Sequence, residues 1–153
     1  MASESTERKT FNTYKAALIK LLGDKALDDA TINKVGKASF AAWGGCVPID
    51  RVKLKPYHYY VVNTDPHDKP GTHWLACFTT AGKAYIYDSY GRPVKPLASQ
   101  LITTINKSGM KLGKTNLVPR GEQIGYSSEV CGQISLSWLL AVRDLGITRT
   151  KNI

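Results

Sequence analysis

Cys131-Gly132-Gln133-Ile134-Ser135-Leu136-Ser137-Trp138-Leu139-Leu140-Ala141-Val142-Arg143-Asp144-Leu145-Gly146 is the stretch on which the fold turns. Ile134, Trp138, Ala141, Val142 and Leu145 recur at intervals of three and four, the period of a helix. Leu136, Leu139 and Leu140 fill most of the remaining circumference, and a helix apolar on nearly all sides is a buried one. It begins close to Cys131-Gly132 and stops at Gly146.

The rest of the chain supplies what surrounds that helix. Residues 1–10 are polar and read as a flexible N-terminus, leaving 11–153 as a single domain. Phe11, Tyr14, Leu18, Ile19 and Leu22 have helical spacing, and Gly23 ends that helix. Asp28 and Asp29 open a second helix over residues 28–42, after which Gly44-Gly45 and Pro48 break the pattern. The period then changes. Residues 57–63 are aromatic and β-branched and predict a strand, and residues 73–79 and 83–88 predict two more. Residues 97–107 predict a helix and 115–118 a short strand. Helices, then strands, then helices indicate an α+β domain rather than an alternating parallel sheet.

A length of 153 residues, with 42% hydrophobic and 9% aromatic side chains, suits one globular core and not a disordered chain. No run approaches the roughly 18 apolar residues of a membrane-spanning helix, so no membrane partner is expected. The first residues hold no apolar signal region, and Cys46, Cys77 and Cys131 cannot all pair. A reduced, intracellular setting is expected, with Cys46 and Cys77 as buried small hydrophobes. No cysteine has a partner at metal-ligand spacing, so no metal is implied. The net charge of +9 favours polyanions, DNA above all, although lysines spread along the chain also suit a plain solvated surface.

Cys131 stands in or just before the first turn of the buried helix, where unpaired backbone N–H groups stabilise a thiolate. Most cysteines beside a helix only fill space. Gly132, which leaves room beside the sulfur, and the polar run over residues 122–129 argue for chemistry here. A thiolate nucleophile needs a base. Of three histidines, His58 lies mid-strand among aromatics and His67 in a loop, whereas His73 opens a strand after Pro70-Gly71-Thr72. Asp88, at the end of the next strand, is the candidate to orient it. A four-residue hairpin loop, 79–82, would put His73 directly opposite Asp88. A two-residue loop, Ala81-Gly82, keeps them on one face but diagonal, and a three-residue loop separates them. The Cys131 N–H and the Gln123 side-chain amide are candidate donors to an oxyanion.

Taken together, Gly71-Thr72-His73-Trp74, Tyr87-Asp88-Ser89-Tyr90-Gly91, Gln123 and Cys131-Gly132 resemble the adenain family of viral cysteine proteases and their cellular relatives that remove small ubiquitin-like modifiers. Residues 61–78 look particularly like adenain, and Leu27-Asp28-Asp29-Ala30-Thr31-Ile32-Asn33 is similar to the helix-opening segment of the modifier proteases. The resemblance covers roughly residues 27–145. It implies a papain-like α+β fold, with a central, mostly antiparallel sheet and a buried helix carrying the nucleophile. It also implies His73 as general base, Asp88 orienting it, Gln123 in the oxyanion hole, Cys131 as nucleophile, and Trp74 and Gly132 lining the cleft. Adenovirus enzymes carry glutamate where Asp88 stands, whereas the cellular branch carries aspartate.

The resemblance implies a monomeric endopeptidase, needing no metal or organic cofactor, that cleaves capsid precursors or similar mobile-element proteins in the host nucleus, cytoplasm or virion. DNA or a short viral peptide is the activator the family suggests. A deubiquitinase-like or SUMO-protease-like isopeptidase is the alternative on the same chemistry. A basic DNA-binding module with an inactive protease fold and an acetyl transferase on the same fold are further readings.

Overall fold

The computed structural model describes residues 5–65, 73–92, 99–115, 130–151 and 153. Helix α1 spans Thr6–Leu22: the Ser5 hydroxyl accepts the Arg8 N–H at 3.1 Å, and Gly23 leaves the helix at φ +89°. The polar run expected to be a flexible tail therefore forms, from Thr6 onward, the first turns of α1. The Ser5 cap and the buried Phe11, Leu18 and Lys15 side chains outweigh its polarity. Helix α2, Asp29–Ser39, is capped by the Asp28 carboxylate on the Thr31 N–H at 2.8 Å. It ends before residue 42, because the chain must turn into strand β1, Trp43–Pro48.

β1 runs where Gly44-Gly45 and Pro48 read as breaks. A Cβ at Gly44 would come within 2.2 Å of the Tyr60 ring, so glycine is what allows the strand to lie against its neighbour. Pro48 is tolerated at the end of an edge strand. β2 is Tyr59–Asn63, β3 Trp74–Thr79, β4 Lys83–Tyr87 and β5 Lys111–Gly113. The last strand lies upstream of the expected 115–118. Thr115 is not in a strand, and 116–118 fall outside the described residues. A glycine again permits the pairing, since a Cβ at Gly113 would come within 2.4 Å of the Tyr85 ring. Helix α3 is Ser99–Lys107, α4 Cys131–Leu145 and α5 Ile147–Thr150.

The sheet order is β1-β2-β3-β4-β5. The β2–β3 and β3–β4 pairs are antiparallel, but β1–β2 and β4–β5 are parallel, so the sheet is mixed rather than mostly antiparallel. The cause is two crossovers, residues 49–58 and the segment containing α3, each returning the chain in its original direction.

Strict alternation divides the sheet into two faces. Val61, Trp74, Ala76, Phe78, Tyr85 and Tyr87 join Phe11, Ile32, Trp138 and Leu139 in one core under α1, α2 and α4. Tyr60, Val62, Leu75, Cys77, Ala84 and Ile86 join Ile49, Val52, Leu101, Ile105 and Met110 in a second core under the crossovers. α4 is as buried as its composition demands, with every side chain from Cys131 to Val142 inside, and Trp138 stacks on Tyr87 at 5.2 Å and 8°. No described helix is long and apolar enough to cross a membrane.

Candidate active site

Three of the residues singled out by sequence converge at one end of the sheet, at the N-terminus of α4. His73 precedes β3 and is held in the ladder by its carbonyl, which accepts the Thr64 N–H at 3.0 Å. The β3–β4 register pairs Ala76 with Tyr87 and Thr79 with Ala84, and the Thr80 N–H donates to the Lys83 carbonyl at 2.8 Å. That hydrogen bond closes a two-residue Ala81-Gly82 loop. The diagonal alternative is therefore realised: continued outward, the register sets His73 opposite Tyr90, with Asp88 one diagonal step away on the same face. The imidazole reaches across, and its Nε2 hydrogen-bonds to Asp88 Oδ1. His73 and Asp88 are both buried, the Asp88 side chain completely.

With Nε2 engaged by Asp88, Nδ1 is the ring nitrogen left for Cys131, which interacts with the imidazole from the first turn of α4. Val130, the N-cap of α4, brings no side-chain acceptor, and the first turn contains no acidic residue. The partial positive charge of the helix end is thus left to act on the sulfur. The Trp74 N–H also points at Cys131 Sγ, 3.4 Å away. Burial disfavours a charged His73, but the bonds to Asp88 and Cys131 more than offset it and raise the imidazole to about 9. Asp88 is disfavoured as an anion by burial too. His73 and Arg92 nevertheless hold it down at about 2, so the carboxylate is ionised over the whole physiological range.

Trp74 is fixed on three sides. Its indole Nε1 donates to the Leu27 carbonyl at 3.2 Å, its carbonyl accepts from Ser135 Oγ at 3.2 Å, and its N–H faces the sulfur. A Cβ at Gly132 would meet Ile32 and Trp74 at 3.3 Å and Leu27 at 3.4 Å, so close packing of the ring on α4 accounts for glycine there. Gln123, the candidate oxyanion donor, and His67 lie outside the described residues. His58 points its Nδ1 at the Pro56 carbonyl, 2.8 Å away. Cys46 and Cys77 are buried, and burial pushes both thiols up to about 12, far from a reactive state.

Four contributors escaped the sequence reading. Arg92 grips Asp88 Oδ2 through its backbone N–H at 3.0 Å and its Nε at 2.9 Å. Tyr90 lies against the His73 ring at 5.5 Å and under the Arg92 guanidinium at 4.8 Å. Their signal was the spacing Asp-x-Tyr-Gly-Arg, which a turn folds back on its own aspartate. Gln133, fully buried, donates to the Gly23 and Lys25 carbonyls at 2.9 and 2.8 Å, tying the α1–α2 connection to the helix that carries Cys131. Ser135 supports the Trp74 peptide. Gln133 and Ser135 were visible as polar interruptions of an apolar helix, but their partners lie far away in the chain.

Cys131, His73 and Asp88 form a connected thiol, imidazole and carboxylate, the set of groups that acyl transfer through a thiolate would require. Among the described residues no cluster of side chains could hold a metal ion. No family model matches this chain, and no curated protein matches it either.

Proposed function

We propose that this chain is a cysteine endopeptidase of papain-like, adenain-type fold, with Cys131 as nucleophile. The observation that carries the reading is a cysteine at an uncapped helix N-terminus, beside a buried histidine whose far nitrogen is bonded to an ionised aspartate. Tyr90 and Trp74 set the walls of the site around that pair.

In this mechanism His73 takes the Cys131 proton, and Asp88 stabilises the imidazolium and holds the ring in place. The thiolate attacks the scissile carbonyl carbon. The resulting oxyanion is met by the Cys131 N–H and, by the resemblance, the Gln123 side-chain amide. Collapse breaks the C–N bond as His73 returns its proton to the leaving amine. Water, activated by His73, then hydrolyses the thioester and frees Cys131. The substrates in this reading are capsid precursors or related mobile-element proteins, cleaved inside the host cell or the particle.

DNA or a short viral peptide is the proposed activator. Supporting DNA, the crossover segments, β5 and the residue after it expose Arg51, Lys53, Lys55, Lys107, Lys111 and Lys114, while their acidic residues are Asp50 and the buried Asp88. A second reading, an isopeptidase acting on ubiquitin-like modifiers, is favoured by aspartate at position 88 and by the bond from the Trp74 indole to the Leu27 carbonyl, which brings the 27–33 segment to the site.

The test is active-site labelling with a Gly-Gly vinyl sulfone, alongside capsid-precursor peptides and ubiquitin-type fusions as substrates. Selective modification of Cys131, abolished in His73→Ala, is the expected result. Slow labelling shared by all three cysteines and unchanged in His73→Ala would sink the proposal. Preferential cleavage of the fusions would decide for the second reading.

A further inference from the structure

Asp88 serves two cations, and only one of them belongs to the catalytic pair. Oδ1 takes the imidazole of His73. Oδ2 takes the Arg92 N–H at 3.0 Å and Nε at 2.9 Å, with Nη2 reaching Oδ1 at 3.4 Å. All of this comes from one short turn. The Gly91 N–H donates to the Asp88 carbonyl at 2.8 Å, and Gly91 adopts φ +71°, a left-handed conformation that glycine enters without penalty. The chain is thereby turned so that Arg92 comes back over its own aspartate. Tyr90, at the apex, has the guanidinium 4.8 Å from its ring centre and the His73 ring 5.5 Å away.

The surface reading of Arg92 is an ordinary i,i+4 ion pair, of little consequence when solvated. The geometry argues otherwise, because the carboxylate it holds has a fully buried side chain and is the orienting group of the site, while the Arg92 side chain itself is 46% exposed. A buried carboxylate with one oxygen free could rotate or be shared with water. This one can do neither while the guanidinium and the Arg92 N–H hold Oδ2. The same guanidinium places a second positive charge beside the carboxylate on which the imidazolium depends.

We infer that Arg92 is a positioning residue that tunes the Cys131–His73 pair: it locks the rotamer of Asp88 and competes with His73 for its negative charge. Arg92 thereby loosens, by a modest amount, the hold of Asp88 on the imidazolium that gives its proton to a leaving amine. Among the described residues, the titratable and charged groups facing His73 are Asp88, Tyr90 and Arg92 from this turn and Cys131 from α4. The inference rests on the proposed protease chemistry for its meaning, but not for its measurement.

The experiment is an NMR titration of the His73 imidazole in the full chain, for the wild type and for Arg92→Gln, Arg92→Lys and Arg92→Ala. Gln keeps a donor for Oδ2 and deletes the charge. In Arg92→Gln the His73 titration is expected to move up by about half a pH unit, the size of one unit charge a few ångström away under strong screening. Arg92→Lys should restore the wild-type midpoint, and Arg92→Ala should broaden the Asp88 and His73 signals as the carboxylate loses its clamp. An unchanged or lowered midpoint in Arg92→Gln would overturn the inference, as would wild-type line shapes in Arg92→Ala. Peptide hydrolysis is assayed on the same samples. A moved midpoint without hydrolysis in any of them would reject the protease reading and leave the Arg92 coupling standing.

Discussion

The two faces of the sheet are equally apolar where they touch their cores, yet they differ in what they turn to solvent. One is covered by α1, α2 and α4, whose last helix brings Cys131 and the buried Gln133 to the edge of the sheet where His73 and Asp88 lie just past the ends of β3 and β4. The other is covered by an extended crossover and α3, has no such cluster among the described residues, and displays a nearly unbroken set of lysines and arginines. The difference lies in the covering elements. A buried helix ends in unpaired N–H groups that can serve chemistry. An extended crossover alternates inward Val52 and Leu54 with outward Arg51, Lys53 and Lys55, so its period of two sorts charge to the surface.

The comparison breaks most completely if chemistry is not confined to the helix-covered face. Cys131→Ala is expected to lower peptide hydrolysis by at least about 10^4-fold. Replacing Arg51, Lys53 and Lys55 together by alanine should leave it within about twofold when no DNA is present, since surface changes of this kind seldom exceed about 0.5 kcal/mol. A steady-state assay on both variants checks this.

Stability should not follow the same division. Leu139→Ala in α4 and Ile105→Ala in α3 each empty a fully buried site and should each cost about 2–5 kcal/mol in denaturant unfolding. A much smaller loss for Ile105→Ala would show that the crossover layer is loosely packed and that the two cores are unequal.

The pH dependence of stability sharpens the contrast, because the strongly perturbed histidine and aspartate lie on one face. Raised to about 9, His73 contributes stability that is full below its ordinary value near ~6.5 and is lost as pH rises through 9. Lowered to about 2, Asp88 contributes stability that is full above its ordinary value near ~3.9 and is lost as pH falls through 2. The gap in Tm between wild type and Asp88→Asn should therefore be widest from about pH 4 to about pH 6.5 and narrow toward pH 10. A gap independent of pH would mean that Asp88 contributes only packing.

The smallest expected effect lies on the basic face. The Arg51, Lys53 and Lys55 triple substitution should reduce the salt slope of single-stranded DNA binding by about 2, at roughly 0.7 for each phosphate no longer neutralised. Alanine at Lys20, Lys34 and Lys37, exposed on the other layer, removes the same charge and should change the slope far less. Equal effects would reduce the basic face to general charge.

Local pattern carried most of the elements. The buried helix was legible because an all-round apolar surface has no exposed solution, and β2, β3 and β4 because aromatic and β-branched runs suit a pleat. β1 was hidden, because Gly44 and Pro48 carry strand-breaking propensities that close packing on Tyr60 and an edge position override. Thr6–Thr10 was hidden because a cap and a distant core, not local apolarity, make it helical.

Cys131, His73 and Asp88 could be named from the sequence because each sits at the end of an element that its own neighbours define, and parity of the hairpin allowed His73 and Asp88 one face. Which hairpin loop forms, and so whether that pair is opposite or diagonal, depends on the pairing of whole strands. The parallel outer pairs and the tie from Gln133 to Gly23 depend on residues brought together from separate parts of the fold, whereas the clamp of Arg92 on Asp88 is made within one turn. Periodicity reports which side of its own element a residue faces; only packing of the elements decides what it meets there.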